Sequence, residues 1–178
     1  MGGPSVGLWL PEERSALDAV PWLEDFCGIR PEGDGSGAFD FSVLRTASLD
    51  RAGLPRLRGP EEAAVGPFHL GPESLEDERA CGFPGLGRPP AVELALLAYS
   101  SGPDNHLLLG HLALFLGEHF DALIDFGGLL SPLPRSPLPG RLLEMPYAME
   151  DGTPGYSHVA DRVFLRAWLG REGFRMVK

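Results

Sequence analysis

The segment GPDNHLLLGHLALFLGEHF, Gly102 to Phe120, constrains the fold more than any other part of this chain. Read as a helix, it carries apolar side chains on nearly all of its sides. Pro103 suits the first helical position, and Asp104 lies where the helix dipole favours negative charge. A helix that is apolar all round has to be buried. We therefore predict that it packs between a sheet and either loops or a second helix.

The next residues, DALIDF (Asp121 to Phe126), predict a strand that Gly127 and Gly128 end. Asp125 is the most informative acid in the chain because it closes a buried strand. Its carboxylate could cap the turn, pair with an arginine or act on a ligand. Buried acids usually have bonding partners, so a structural role is the favoured interpretation.

Apolar spacing predicts the other elements. Two more helices are expected over 15–27 and 157–170. The first has Ser15 and Asp18 as a capping box and Pro21 as a kink or early end. In the second, Ser157 is the predicted N-cap and Asp161 a first-turn acid. Strands are predicted over 4–10, 38–45, 66–71, 91–100, 141–150 and 174–178, the fifth at a sheet edge because of Pro146.

Strands and helices are mixed along the chain, and several neighbouring strands are joined by loops. This order favours an α+β fold with a single mixed, mainly antiparallel sheet and about three helices packed on it. A length of 178 residues suits one domain, 1–178. The 24 glycines and 18 prolines are clustered, which predicts irregular loops near 47–66, 72–90 and 131–140. The second loop is the best candidate for an exposed binding loop.

The charge balance narrows the classes of partner. Fifteen basic and 25 acidic residues give a formal net charge of −10. Such a field repels nucleic acid and anionic membranes and attracts basic proteins. The chain shows no secretory leader and no apolar run of 18 residues, so we expect a cytoplasmic protein. Cys27, in a helical pattern, and Cys81, in a Gly/Pro loop, do not make a disulfide framework.

The motifs for metal, phosphate and nucleophilic chemistry do not occur. The histidines lack HxxxH or HExxH spacing, so no metal site and no cofactor are predicted. GFPGLG lacks the helix and GK[ST] of a phosphate loop. One enzymatic interpretation stays open as the alternative: a small ligand-binding or hydrolase-like pocket in which His111, Glu118, Asp125 and His158 converge. An enzyme is nevertheless the less favoured class.

Acidic residues fall into two groups, and a solvated surface is the simplest explanation of both. The second group lies in predicted loops, where an acidic patch would also suit a basic protein partner and would give specificity and fast encounter. We predict that Glu73, Glu76, Asp77 and Glu78 contact that partner. The first group is Glu12, Glu13, Asp18, Glu24, Asp25, Glu32 and Asp34; the second also includes Glu61 and Glu62.

Three segments carry a resemblance to known families: GPSVGLWL, LLLGHLALFLGEHFDALIDFGG and YSHVADRVFLRAWLGREGFRMVK. Together they resemble an uncharacterised family, a domain of unknown function, from high-GC, actinobacterial genomes. A chain with Lys178 as its one lysine fits such a genome. The helix followed by IDFGG, and the terminal FLRAWL and FRMVK, also resemble immunity proteins of bacterial polymorphic toxin systems. That resemblance implies an inhibitor that binds a basic toxin or nuclease domain through acidic loops and needs no catalytic residue.

Overall fold

The computed structural model describes residues 2–28, 30–33, 35–44, 64–133, 136–171 and 174–176. One eight-stranded sheet runs through these residues, and every strand pair in it is antiparallel. The predicted α+β class with a single, mainly antiparallel sheet is confirmed. The strands are β1 (Ser5–Leu10), β2 (Glu32–Gly33), β3 (Phe39–Leu44), β4 (Ala64–Glu73), β5 (Val92–Ala98), β6 (Leu123–Asp125), β7 (Leu142–Ala148) and β8 (Pro154–Ala160).

The strand order is β2-β3-β4-β5-β1-β6-β8-β7. The first strand of the chain, β1, therefore lies inside the sheet, between β5 and β6. Strand β7 forms one edge, as Pro146 predicts, because proline cannot donate a hydrogen bond to a further strand. The helices are α1 (Val20–Cys27), α2 (Glu76–Cys81), α3 (Pro103–Phe120) and α4 (Arg162–Leu169), and a 3-10 turn (Ala16–Ala19) precedes α1.

Helix α3 is buried as predicted. It packs on the sheet and against α4, and the leucines Leu109, Leu112 and Leu116 are fully buried. Helix α1 adds Leu23 and Phe26 to the same core. Burying one leucine side chain stabilises a fold by roughly 2 kcal/mol, so this face supplies most of the hydrophobic stabilisation. We call it the inner face of the sheet. None of the described helices is long and apolar enough to cross a membrane.

The start of α1 follows the local prediction. Leu17 N donates to Ser15 Oγ, and Ser15 N donates to an Asp18 carboxylate oxygen, both at 3.2 Å. This is the predicted capping box. Pro21 lies in the first turn of α1, where its missing N–H costs nothing. The chain therefore changes from a 3-10 turn to an α-helix there. Cys27, as expected, is a buried thiol.

The predicted helix over 157–170 is wrong in its first part. Residues 154–160 form β8, which pairs with β6 and β7. Helix α4 begins only at Arg162, and its N-cap is Asp161, not Ser157. Partners on both sides of β8 decide this conformation, and such tertiary pairing overrides helical spacing. The expected strand at the end of the chain is also not formed over the described residues 174–176.

The predicted loop near 72–90 is not irregular throughout. Strand β4 extends to Glu73, and α2 begins at Glu76. The acids in the first turn of α2 stabilise this short helix because they lie at its positive end. Helix α2 and the chain after it cover the face opposite α3, which we call the outer face. The outer cluster consists of Trp9, Leu75, Met145 and Val159, with Phe83, Leu86, Leu123 and Leu143 around it.

Of the other two predicted loops, the one near 131–140 can be compared with the structure and the one near 47–66 mostly cannot. Around 131–140, the described residues form no helix or strand. The loop near 47–66 lies mostly outside the described residues, although its last residues belong to β4, which starts at Ala64.

Asp161→Ala is expected to destabilise the protein by about 2 kcal/mol. The Asp161 carboxylate accepts hydrogen bonds from Phe164 N at 2.8 Å and from Arg141 N at 2.9 Å. Both donors would lose this partner at the start of α4. Urea unfolding measures the loss, and Asp161→Asn, which keeps one carbonyl acceptor, should lose less. Equal stability of wild type and Asp161→Ala would show that water replaces the cap.

Candidate functional site

Two buried acids meet on the outer face of the sheet, on either side of β1. Gly7 pairs with Asp125 of β6, and Trp9 pairs with Glu93 of β5. Side chains alternate between the two faces of a strand. All four residues therefore belong to the face opposite α3. Glu93 is 6% exposed and Asp125 is 5% exposed, so both carboxylates are withdrawn from water.

Gly7 makes room for this pair. A Cβ atom at Gly7 would collide with Oε1 of Glu93 and would lie 3.2 Å from Cβ of Asp125. The Glu93 carboxylate therefore occupies the space above Gly7, next to Asp125. A larger residue at this position would separate the two acids.

Burial is the main cause of the unusual protonation of Glu93. Loss of water raises the pKa of Glu93 from 4.5 to about 8, and the negative charges of Asp125 and Glu78 raise it further. The indole N–H of Trp9 is directed at this carboxylate and lowers its pKa. Trp9 is 1% exposed, and its indole nitrogen is buried and makes no hydrogen bond of standard geometry. At neutral pH, Glu93 consequently holds a proton.

Asp125 also caps the turn that follows β6. Its Oδ1 accepts from Gly127 N at 2.9 Å, which is one of the three roles that the sequence left open for it. Burial raises the pKa of Asp125, while hydrogen bonds from Gly127 and from the Ser157 side chain act in the opposite direction. Asp125 is therefore a fixed group whose orientation is set by the turn.

Helix α2 adds a third acid. Glu78 is half-buried, and its Oε2 is enclosed without a hydrogen-bond partner. Burial raises the pKa of Glu78, and the charge of Asp125 contributes to the shift. Glu73, Glu76 and Asp77 are exposed around it. We call Glu78, Glu93 and Asp125 the acidic cluster, and Glu73, Glu76 and Asp77 the acidic rim.

These six acids have no cationic partner within the described part of the chain. The ion pairs there join other acids, such as Asp121 with Arg162 at 2.7 Å, and the cluster and rim have none. Arg79 lies on α2 itself, but its guanidinium donates to Ala91 O at 3.0 Å. Like charges held together without cations destabilise a fold. With Glu93 protonated at neutral pH, the remaining acids give the outer face a concentrated negative charge that no described cation compensates.

Another acid on the outer face, Asp40, does have hydrogen-bond partners. Asp40 lies 2.7 Å from Nδ1 of His69 and accepts from the Tyr99 hydroxyl at 3.0 Å. This exposed acid is thus paired by His69 of β4 and by Tyr99, the residue after β5. Sequence reasoning did not find this trio because three segments that are distant in the chain supply it: β3, β4 and the end of β5.

The four residues of the alternative, enzymatic interpretation are not brought together. Val159 pairs with Asp125, so the adjacent His158 points to the inner face. Nδ1 of His158 accepts from Leu130 N at 2.8 Å. A backbone N–H can only donate, so His158 is neutral and holds the chain after β6. Burial lowers the pKa of His158, as expected for this neutral form.

The other two lie on α3, also on the inner side. Glu118 forms an ion pair with Arg166 of α4 and thereby joins the two helices. Burial lowers the pKa of His111 to about 4. Nδ1 of His119, at the end of α3, lies 2.9 Å from Phe115 O. Because a carbonyl oxygen can only accept, Nδ1 is the donor. A histidine in the last turn of a helix can hydrogen-bond the last carbonyls in this way.

Sequence reasoning missed Glu93 and Trp9 as site residues. A signal was available: Glu93 is the one charged residue within the apolar strand sequence AVELALLA. A charged residue in a central strand marks a buried polar site more often than a solvated surface. The described residues contain no group of three or more His, Cys, Asp or Glu side chains arranged to hold a metal ion.

Fold and site together define an α+β protein with an open antiparallel sheet, helices α1, α3 and α4 on one face, and an acidic cluster on the other. The chain belongs to DUF6368, a family of unknown function, whose model matches residues 2–178. Membership of an uncharacterised family was the expectation from the sequence. No curated protein and no solved structure matches the chain.

Proposed function

We propose that this protein is an interaction module that binds a basic protein partner, as an immunity-type inhibitor binds a toxin domain. The observation that supports this proposal is the uncompensated charge of the acidic cluster and rim. Acids dispersed over the whole surface would give the same net charge without forming a binding site. Here six acidic side chains, of which Glu93 is protonated at neutral pH, lie at one site, and three of them are partly or fully withdrawn from water.

A basic partner would relieve the energetic cost of this arrangement. Opposite charges across an interface speed diffusional encounter and disfavour wrong partners. Partly desolvated acids also interact with a cation more strongly than exposed acids, because water screens them less. The exposed rim is suited to speeding the encounter, and the buried cluster is suited to the stronger interaction with a cation. A toxin domain with a cationic active site has the charge that this surface requires.

The enzymatic alternative has less support. Glu93 and Asp125 resemble a pair of acid–base carboxylates, but their exposures of 6% and 5% leave a substrate little access to either. The histidines predicted for catalysis lie on the other side of the sheet. No second function is therefore proposed.

Reversing the rim charge is expected to abolish partner capture. In a triple variant, Glu73, Glu76 and Asp77 are changed to lysine, and tagged protein is used to pull down partners from lysate of the source organism. A control triple variant changes Glu12, Glu24 and Glu150 to lysine; these exposed acids lie outside the cluster and rim. Both variants raise the net charge equally. Capture should weaken by roughly 100-fold or more for the rim variant only, and should fall at high salt.

Two results would count against the proposal. Equal capture by the rim and control variants would show that net charge, and not this surface, binds the partner. Capture that is insensitive to salt would point to an apolar interface. Circular dichroism of both variants ensures that the comparison is between folded proteins.

A further inference from the structure

We propose that the segment between β4 and β5, residues 74–90, is a pH-sensitive lid that is closed over the outer cluster in acidic and neutral solution and opens in mild alkali. This inference goes beyond the proposed function and does not depend on it. The lid contains α2, and its two ends lie side by side because Glu73 pairs with Glu93. A loop with adjacent ends can lift as a unit without breaking the pairing of the strands that carry it.

From these ends the lid crosses the outer face to the far edge of the sheet. The Phe83 ring packs edge-on against Trp9 of β1, with the ring centroids 5.4 Å apart, and α2 packs beside β7. The lid also contributes Leu75 and Leu86 to the outer cluster. Trp9 is therefore buried by the lid on one side and by the sheet on the other, and opening the lid would expose it to water.

The helix within the lid has few attachments of its own. None of its six residues is buried, and no side chain caps its N-terminus. A helix of this length is not stable by itself in water. Nη2 of Arg141, the residue before β7, donates to Gly85 O at 2.9 Å and ties the far end of the lid to the sheet. Once the lid lifts, α2 should unravel and its backbone N–H groups should exchange with water.

The lid and the sheet beneath it carry acids that act on one another. Glu78 of α2 is half-buried, and the negative charge of Asp125 of β6 reaches both Glu78 and Glu93 of β5. Asp77 and Glu73 add further negative charge to Glu78. Like charges held close together disfavour ionisation of one another, and so does the loss of water. The closed lid therefore favours protonated acids, whereas an open lid would separate Glu78 from the sheet and favour ionised ones.

Glu93 supplies most of the expected pH dependence. Burial, together with the charges of Asp125, Glu78 and Glu73, raises the pKa of Glu93 from 4.5 to about 8, and the Trp9 indole acts in the opposite direction. Water that reaches Glu93 under an open lid would return this pKa towards 4.5. Between these values the open protein holds fewer protons than the closed one, so rising pH favours opening. The two pKa values limit the change in the opening equilibrium to about 3,000-fold.

Hydrogen exchange of the full chain tests the lid, with mass spectrometry at pH 6, 7.5 and 9 and correction for the intrinsic exchange rate. The protection factor of a peptide that spans α2 should fall by roughly 30-fold or more from pH 6 to pH 9. A low concentration of urea should change this factor little, because a local opening exposes little surface. Peptides from α3 should stay at least about 100-fold more protected and should respond strongly to urea, because they exchange through global unfolding.

Two substitutions of glutamate by glutamine make the test specific. Glu93→Gln cannot ionise, so the protection of α2 in this variant should lose most of its dependence on pH. Glu76→Gln is the matched control, because Glu76 lies on α2 itself but is exposed to water. This control should show the same fall in protection as the wild-type protein.

Four results would overturn the inference. These are an α2 that is unprotected at pH 6, an α2 whose protection factor is the same at pH 6 and pH 9, and a Glu93→Gln variant that shows the wild-type fall. The fourth is a fall in protection that α2 and α3 share with the same dependence on urea. That result would mean that alkali unfolds the whole protein and does not open a lid.

Discussion

Glu93→Gln is expected to make the protein more stable above pH 8, by several kcal/mol and at most about 5. The pKa of Glu93 is about 8 in the folded chain, against an ordinary value of 4.5. Between these values the folded chain holds a proton that the unfolded chain has released. Wild-type stability therefore falls as the pH rises through this window, and the full loss is present above pH 8. Glutamine is neutral at every pH and does not incur this loss.

Urea unfolding of wild type and Glu93→Gln at pH 5, 7 and 9 measures this effect. The two proteins should be similar at pH 5 and should diverge as the pH rises. Burial also raises the pKa of Glu78 and Asp125, so the variant should keep a smaller decline of its own. Glu24→Gln, at an exposed position on α1, should follow the wild-type curve. Parallel curves for wild type and Glu93→Gln would contradict a buried, protonated Glu93.

Gly140→Ala is expected to destabilise the protein by more than about 3 kcal/mol. Gly140 has a φ of 92°, a backbone conformation that alanine adopts only with strain. A Cβ atom there would also collide with Phe164 N and with Oδ1 of Asp161, and would lie 2.9 Å from Phe164 Cα. Backbone atoms cannot rotate away as a side chain can. The start of α4 would have to move away from the sheet.

Gly152→Ala separates the cost of the backbone conformation from the cost of the collision. Gly152 has a φ of 79°, but no atom lies within 4 Å of the position of its Cβ. This variant should therefore lose only the cost of the backbone conformation, about 1 kcal/mol. Denaturant unfolding of both variants gives the difference. Equal losses would show that the structure relieves the collision at Gly140 by a small shift.

Several structural features were predicted correctly from strong local signals in the sequence. An apolar surface all round α3 required burial on both sides, and the helix is buried between the sheet and its neighbours. The side chains of Ser15 and Asp18 capped the first turn as their spacing predicted. Pro146 placed its strand at an edge. In each case the physical cause acts within a few residues, so the sequence around it is sufficient.

The errors occur where a distant segment decides the conformation. SHVADRVFLRAWLG was predicted as one helix from its apolar spacing, but its first residues pair with β6 and β7 and form a strand. Helix α2 was hidden in a Gly/Pro-rich region, and it gains its stability from packing beside β7 on the outer face. Local preferences are weak, and long-range contacts outweigh them at such places.

The amino-acid sequence by itself determined the class of fold, the buried helix α3 and the excess of acid near Glu73 to Glu78. Only the tertiary structure decided that these acids surround a buried pair. The register of β1 places Gly7 against Asp125 and Trp9 against Glu93, and a shift of one residue would send those side chains to the other face. Register depends on all the strands packing together, so residues far apart in the chain became one site only when the sheet formed.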